Sequence, residues 1–200
     1  MEDVYEAPPF TAADHTKLVK AVLDRPLHVI KYLDVPSGHA PTNLEVVDAA
    51  LQVKSFDDET KARLRAARAG YLRFEEERAG RSASFTAHLE RVHAALEGKS
   101  ITEMIAAVDT LLAQEHLDDH AAAGLQLAKA ILIDGADSIY APDYPVYELL
   151  ETVAFTGAQQ VAQVDADFAA AGGGGSSGGA AAGLGSVGAA IAVIYGAFFD

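Results

Sequence analysis

The 200-residue chain has no cysteine. Structural disulfides, cysteine-based zinc sites and thiol nucleophiles are thereby excluded, while the compartment is left open by this absence alone. Basic side chains are also scarce: 15 Lys and Arg stand against 29 Asp and Glu, a formal net charge of −14. A surface of that sign repels phosphate backbones, so no nucleic acid partner is expected unless basic residues cluster. They cluster only over 61–81, KARLRAARAGYLRFEEERAGR, where Glu75, Glu76 and Glu77 interrupt the run. That mixture reads as the solvated face of a helix. No Lys or Arg follows Lys129. The opening MEDVYEAPPF is acidic and lacks the apolar core of a secretory signal, so the expected location is cytoplasmic.

Strand signals are equally sparse, whereas helix signals recur from Thr11 to Ala170. With 50% hydrophobic and 22% charged residues the chain is globular in composition and long enough for one sizeable core. Thr11 with Asp14 resembles a capping box ahead of the stripe Leu18, Val19, Val22 and Leu23, which Pro26 stops. Residues 27–35, LHVIKYLDV, have no second strand to pair with and read as helical or irregular. A loop over 36–43 leads to a helix from Leu44 to Lys54. Ser55 with Asp58 caps a longer helix that places Leu64, Ala67, Tyr71 and Phe74 on one face, and Ser84 opens another carrying Phe85, Leu89, Val92 and Leu96.

Ser100 and Glu103 form the clearest capping box, and Asp118 or Asp119 caps a helix that Gly135 ends. Past a Tyr-rich connection, Leu150, Ala154, Gly157, Val161, Val164 and Phe168 make a heptad-like seam. The expected fold is an all-α bundle of about six or seven helices. Its organisation is an N-terminal arm (1–10), the helical domain (11–170), a Gly/Ser-rich linker (171–179) and an apolar C-terminal peptide (180–200).

Nothing catalytic is expected. His116 and His120 are four apart, a spacing that puts two rings on one helix face, but HLDDH has Leu117 where a zinc protease needs its glutamate. Glu90 and His93 supply one Glu-x-x-His, and a dinuclear centre in a bundle needs two. A metal-binding enzyme would have to use His93, His116 or His120; the expectation is no metal and no cofactor. Gly183, Gly185 and Gly188 (GLGSVG) match the dinucleotide fingerprint in spacing only, because a glycine spacer stands where the preceding strand should be. There is no P-loop lysine. Tyr140, Tyr144 and Tyr147 either form a binding edge or pin their loop onto the bundle, and the second is favoured.

The segment GGGGSSGGAAAGLGSVGAAIAVIYGAFFD, 172–200, offers three uses. Ala180 to Phe199 has no charge over twenty residues, about the length of a bilayer span. Against a membrane role, the segment has no basic anchor, and Asp165, Asp167 and Asp200 flank it. A flexible linker would instead hold Ile191, Val193, Ile194, Tyr195, Phe198 and Phe199 near a groove on the bundle or on a second copy. The layout also resembles that of precursors of ribosomally made peptides, in which a helical leader precedes a short apolar core. In that resemblance the pairs Gly174–Gly175 and Gly178–Gly179 are similar to processing sites. Gly-Ser runs of this kind also join engineered modules.

The function expected is that of a non-enzymatic, acidic helical binding protein. It presents its C-terminal peptide to its own bundle, to a second copy or to a processing partner. A membrane-active protein is the alternative, and a helical metalloenzyme comes third. Removal of 172–200 is expected to leave a folded, soluble bundle.

Overall fold

A computed structural model describes residues 10–36, 38–114, 116–151, 158–172 and 176–198. Among them lie ten helices and no strand: α1 Ala12–Leu23, α2 Pro26–Ile30, α3 Asn43–Gln52, α4 Asp58–Ala79, α5 Ala83–Leu96, α6 Ile101–Leu112, α7 Asp119–Gly135, α8 Val146–Glu151, α9 Ala158–Ala171 and α10 Ser176–Phe198. The fold is the all-α bundle expected. It exceeds six or seven helices because the short α2 and α8 break out of longer stretches and the C-terminal peptide is itself a helix.

The caps follow side-chain chemistry closely. Thr11 with Asp14, Thr42 with Glu45 and Ser100 with Glu103 form reciprocal capping boxes, which satisfy backbone N–H groups that the first helical turn leaves free. Two starts differ from the sequence reading. Asp57, not Ser55, caps α4 by accepting from the Thr60 N–H at 2.7 Å, and Ser82, not Ser84, caps α5 by accepting from Phe85 N–H at 3.2 Å. Both of these helices start where a side-chain oxygen reaches the amide three residues on.

The bundle is organised around α10, which packs most extensively on α4 and α9 and also on α1 and α3. Ala180, Ala181, Ala182, Leu184, Val187, Ala190, Ile191 and Ile194 are buried around its circumference. A helix apolar on all sides has no face suited to water and belongs in a core. Leu18 and Val22 of α1, Val47 and Ala50 of α3, Leu64 and Ala67 of α4, and Ala162 and Ala166 of α9 share that core.

The stretch that reads as a Gly/Ser linker is partly helical. Ala171 closes α9, Ser176 opens α10, and Gly178 and Gly179 are buried. A Cβ on Gly172 would fall 2.0 Å from the Cα of Gly178, so these glycines let the two helices touch. The heptad-like seam falls on two helices where it is described: Leu150 is in α8, while Val161, Val164 and Phe168 are in α9. Ala154 and Gly157 lie outside the described residues.

Tyr140, Tyr144 and Tyr147 are all buried and pin the connection between α7 and α8. The Tyr144 hydroxyl donates to Asp24 at 2.5 Å, and that of Tyr147 donates to the Ile139 carbonyl. Burial pushes both hydroxyls well above the usual tyrosine range, so they stay protonated donors.

Close packing makes two glycines respond oppositely to the same change. A Cβ on Gly124 of α7 would meet the Ala170 carbonyl oxygen of α9 at 2.4 Å, whereas one on Gly196 would have nothing within 4 Å. Gly124→Ala is expected to lower the unfolding free energy by ~1–3 kcal/mol through backbone displacement, despite alanine's better helix propensity. Gly196→Ala is expected to raise it by up to about 1 kcal/mol. Urea unfolding of both variants followed by circular dichroism measures the two signs.

Candidate functional site

The residues the sequence nominated in the C-terminal segment do not form one exposed face. Ile191 and Ile194 are fully buried, and Val193 and Tyr195 are half-buried. Phe198 ends α10, and Phe199 lies outside the described residues. The processing pairs fare differently from each other: Gly174 and Gly175 lie outside the described residues, whereas Gly178 and Gly179 are shielded inside a helix. A Cβ on Gly179 would sit 2.6 Å from the Phe10 carbonyl oxygen. Proteases favour exposed, flexible backbone, and the Gly178–Gly179 bond in this conformation is neither.

The histidines are scattered. His116 lies in the loop ahead of α7 at φ 81° and is exposed, while His120 is exposed in the first turn of α7, where its ring meets the edge of Phe85 at 5.0 Å. They do not share a helix, so the premise of two rings on one helical face fails. Among the described residues no group of three or more His, Asp and Glu side chains is placed to hold a metal ion.

His93 is the exception, because the fold gives it a partner. From α5 its Nδ1 lies 2.7 Å from Oδ2 of Asp167 on α9, with the Gln163 amide nitrogen at 3.3 Å. The hydrogen bond that His93 donates to Asp167, and then the Asp167 charge, raise the His93 pKa above the ordinary histidine value. Burial raises the Asp167 pKa as well, while His93 pulls it in the opposite direction. Asp167 Oδ1 is shielded and has no hydrogen-bond partner among the described residues.

This pair separates two clefts between α5 and α9. The first, of about 610 Å³, is bounded by Lys99, Met104, Gln159 and Gln163. The second, of about 400 Å³, has an apolar lining of Phe74, Leu89, Phe168 and Ala171, with Arg78 and Arg81 at its edge. Volumes of this size suit small ligands. Among the described residues, neither cleft is lined by a serine, threonine, cysteine or tyrosine that His93 could activate. The arrangement can bind a ligand and hold a proton.

A second polar cluster is sealed in the core. Asp165 and His15 are fully buried, with His15 Nε2 at 3.1 Å from Asp165 Oδ2 though not aligned as a hydrogen bond. Tyr140 donates to the same oxygen at 2.5 Å, and burial, then the Asp165 charge, push its pKa well above the usual tyrosine value. No water-facing surface reaches these groups, so the cluster ties α1, α9 and the connection between α7 and α8 to one another.

Sequence reasoning missed Asp167 and Arg81. The string VDADF contains two aspartates, and nothing in it distinguishes the one facing the core from the one meeting a histidine on α5. Arg81 reads as one more charge on a solvated face. No protein-family model, no curated protein and no solved structure matches the chain.

Both shifts in the His93–Asp167 pair carry the same sign. Each group binds its proton more tightly in the folded state, so its contribution is present at low pH and lost as pH rises, through Asp167 first and His93 second. The His93 imidazole, followed by NMR, is expected to titrate with a midpoint above 6.5, and Asp167→Asn is expected to return that midpoint toward 6.5. A midpoint unmoved by the substitution would show that the pair does not form in solution.

Proposed function

We propose that this chain is a non-enzymatic helical binding protein whose apolar C-terminal segment is engaged by its own bundle, leaving the α5–α9 clefts as its ligand-facing surface. The observation that carries this reading is the seating of α10 glycines against different neighbours. A Cβ on Gly179 would meet Phe10, one on Gly185 the Phe168 ring at 2.6 Å, and one on Gly188 the Asn43 side chain at 1.8 Å. A second copy or a processing partner would have to reproduce all three close approaches.

Energetics favour the same reading. Leu184, Val187, Ile191 and Ile194 are each at most 1% exposed. Burying side chains of this size contributes ~1.5–3 kcal/mol apiece. Their sum is comparable with the whole stability of a typical domain, about 5–15 kcal/mol. The segment therefore does not leave without the bundle losing its fold, and the expectation that 172–200 is dispensable is revised.

A chain ending at residue 171 is expected to show no cooperative thermal unfolding and to bind a hydrophobic dye, while the full chain unfolds cooperatively and runs as a monomer by light scattering. A truncated chain that melts cooperatively near the full-length temperature would return the segment to the role of a presented peptide.

One observation favours a second reading, membrane activity. Ser177–Ala197 within α10 is 21 residues long and apolar enough to cross a bilayer. Under the first reading the full chain stays in the supernatant when sedimented with phosphatidylcholine or phosphatidylglycerol vesicles and releases no trapped dye. Leakage would favour the second.

A further inference from the structure

The smaller cleft combines an apolar lining with a cation that lacks a counter-ion. The Arg81 guanidinium lies 4.7 Å from the centroid of Phe74, which itself packs at 5.5 Å on Phe168. One of its five N–H groups is fixed, since Nη2 donates to the Ala171 carbonyl at 3.0 Å. Among the described residues no carboxylate lies within ion-pair distance of it, in a chain of net charge −14. Arg63, by contrast, pairs with Asp14 and Glu59, and Arg68 pairs with Asp48.

The other charges around the cleft are already committed or stand off. Asp167 is bound to His93, and Arg78 leans on Glu75 at 3.7 Å. Glu90 at the rim is exposed, and the charged groups acting on Arg81 are Arg78, Glu75 and Glu77. Burial is the first influence on Arg81 and disfavours its charged form, an effect that a bound anion would reverse.

We infer that this cleft binds a small amphipathic monocarboxylate, a medium-chain or aryl acid, with its carboxylate on Arg81 and its apolar body on Phe74, Leu89 and Phe168. A planar guanidinium with free N–H groups matches a carboxylate in a two-point geometry. The cleft of about 400 Å³ has room for a chain or ring of that class. This assignment rests on the binding-protein reading and names its ligand class.

The test uses the full chain with methyl-labelled alanine and leucine, titrated with octanoate and, separately, with 1-octanol. Octanoate is expected to give saturable shifts at the Leu89 and Ala171 methyls, and octanol to bind at least about tenfold more weakly, the loss expected when a charge-assisted contact is absent. Arg81→Gln is expected to weaken octanoate by a similar factor at an unchanged octanol affinity, and Arg81→Lys to restore part of it.

Equal affinity for acid and alcohol, no saturable shift at these methyls, or an unaffected Arg81→Gln variant would each overturn the assignment. Should Arg81→Gln unfold, the comparison of acid with alcohol on the unaltered chain decides alone. Failure here removes the ligand while the truncation result stands, so the two readings fail separately.

Discussion

The burial of α10 is the constraint on which the rest of the molecule depends. A 23-residue helix with no charged side chain has no orientation in water that suits it, so α1, α3, α4 and α9 turn their apolar faces inward around it. Their polar faces, and with them most of the net negative charge, are left outside. The glycines and alanines along α10 set how near those helices come, and hence the diameter of the bundle. Exchanging polar positions on the outer helices leaves this arrangement intact, whereas added volume on α10 displaces it at several places.

Helix α9 serves two environments at once. Asp165 points into the core beside His15 and Tyr140, and Asp167, two positions later, reaches the surface and His93. Phe168 then forms a shared wall: one side fills the space left by Gly185 of α10, while the other lines the smaller cleft against Phe74. Occupancy of that cleft and the seating of the central helix are therefore read by the same ring. This is a physical connection through one side chain, carried by contact alone.

Much of the architecture is legible from local chemistry. The pattern at Thr11–Asp14 and at Ser100–Glu103 marks helix starts because a capping box is a contact between residues three apart. The position of α10 is not legible in this way. GGGGSSGG has the composition of a flexible spacer, and glycine is a poor helix former. Only the neighbours in space, Gly172 against Gly178 and Phe10 against Gly179, explain why glycine there serves packing.

The candidate site was half visible. His93 is marked in the sequence by its Glu-x-x-His spacing from Glu90, but its partner is 74 residues away, and the counter-ion missing from Arg81 is a property of three-dimensional surroundings. Periodicity records which face of a helix is buried. It does not record which two helices will share a groove.

The sequence distance between α1 and α10 bears on how the chain is made. Helices α1, α3, α4 and α9 are synthesised with their apolar faces directed at a helix that does not yet exist. Translation at about 5–20 residues per second leaves an interval on the order of seconds between the completion of α9 and that of α10. Through that interval the nascent chain is a sheath without its rod. Apolar surface exposed in that way is prone to aggregation until α10 fills it.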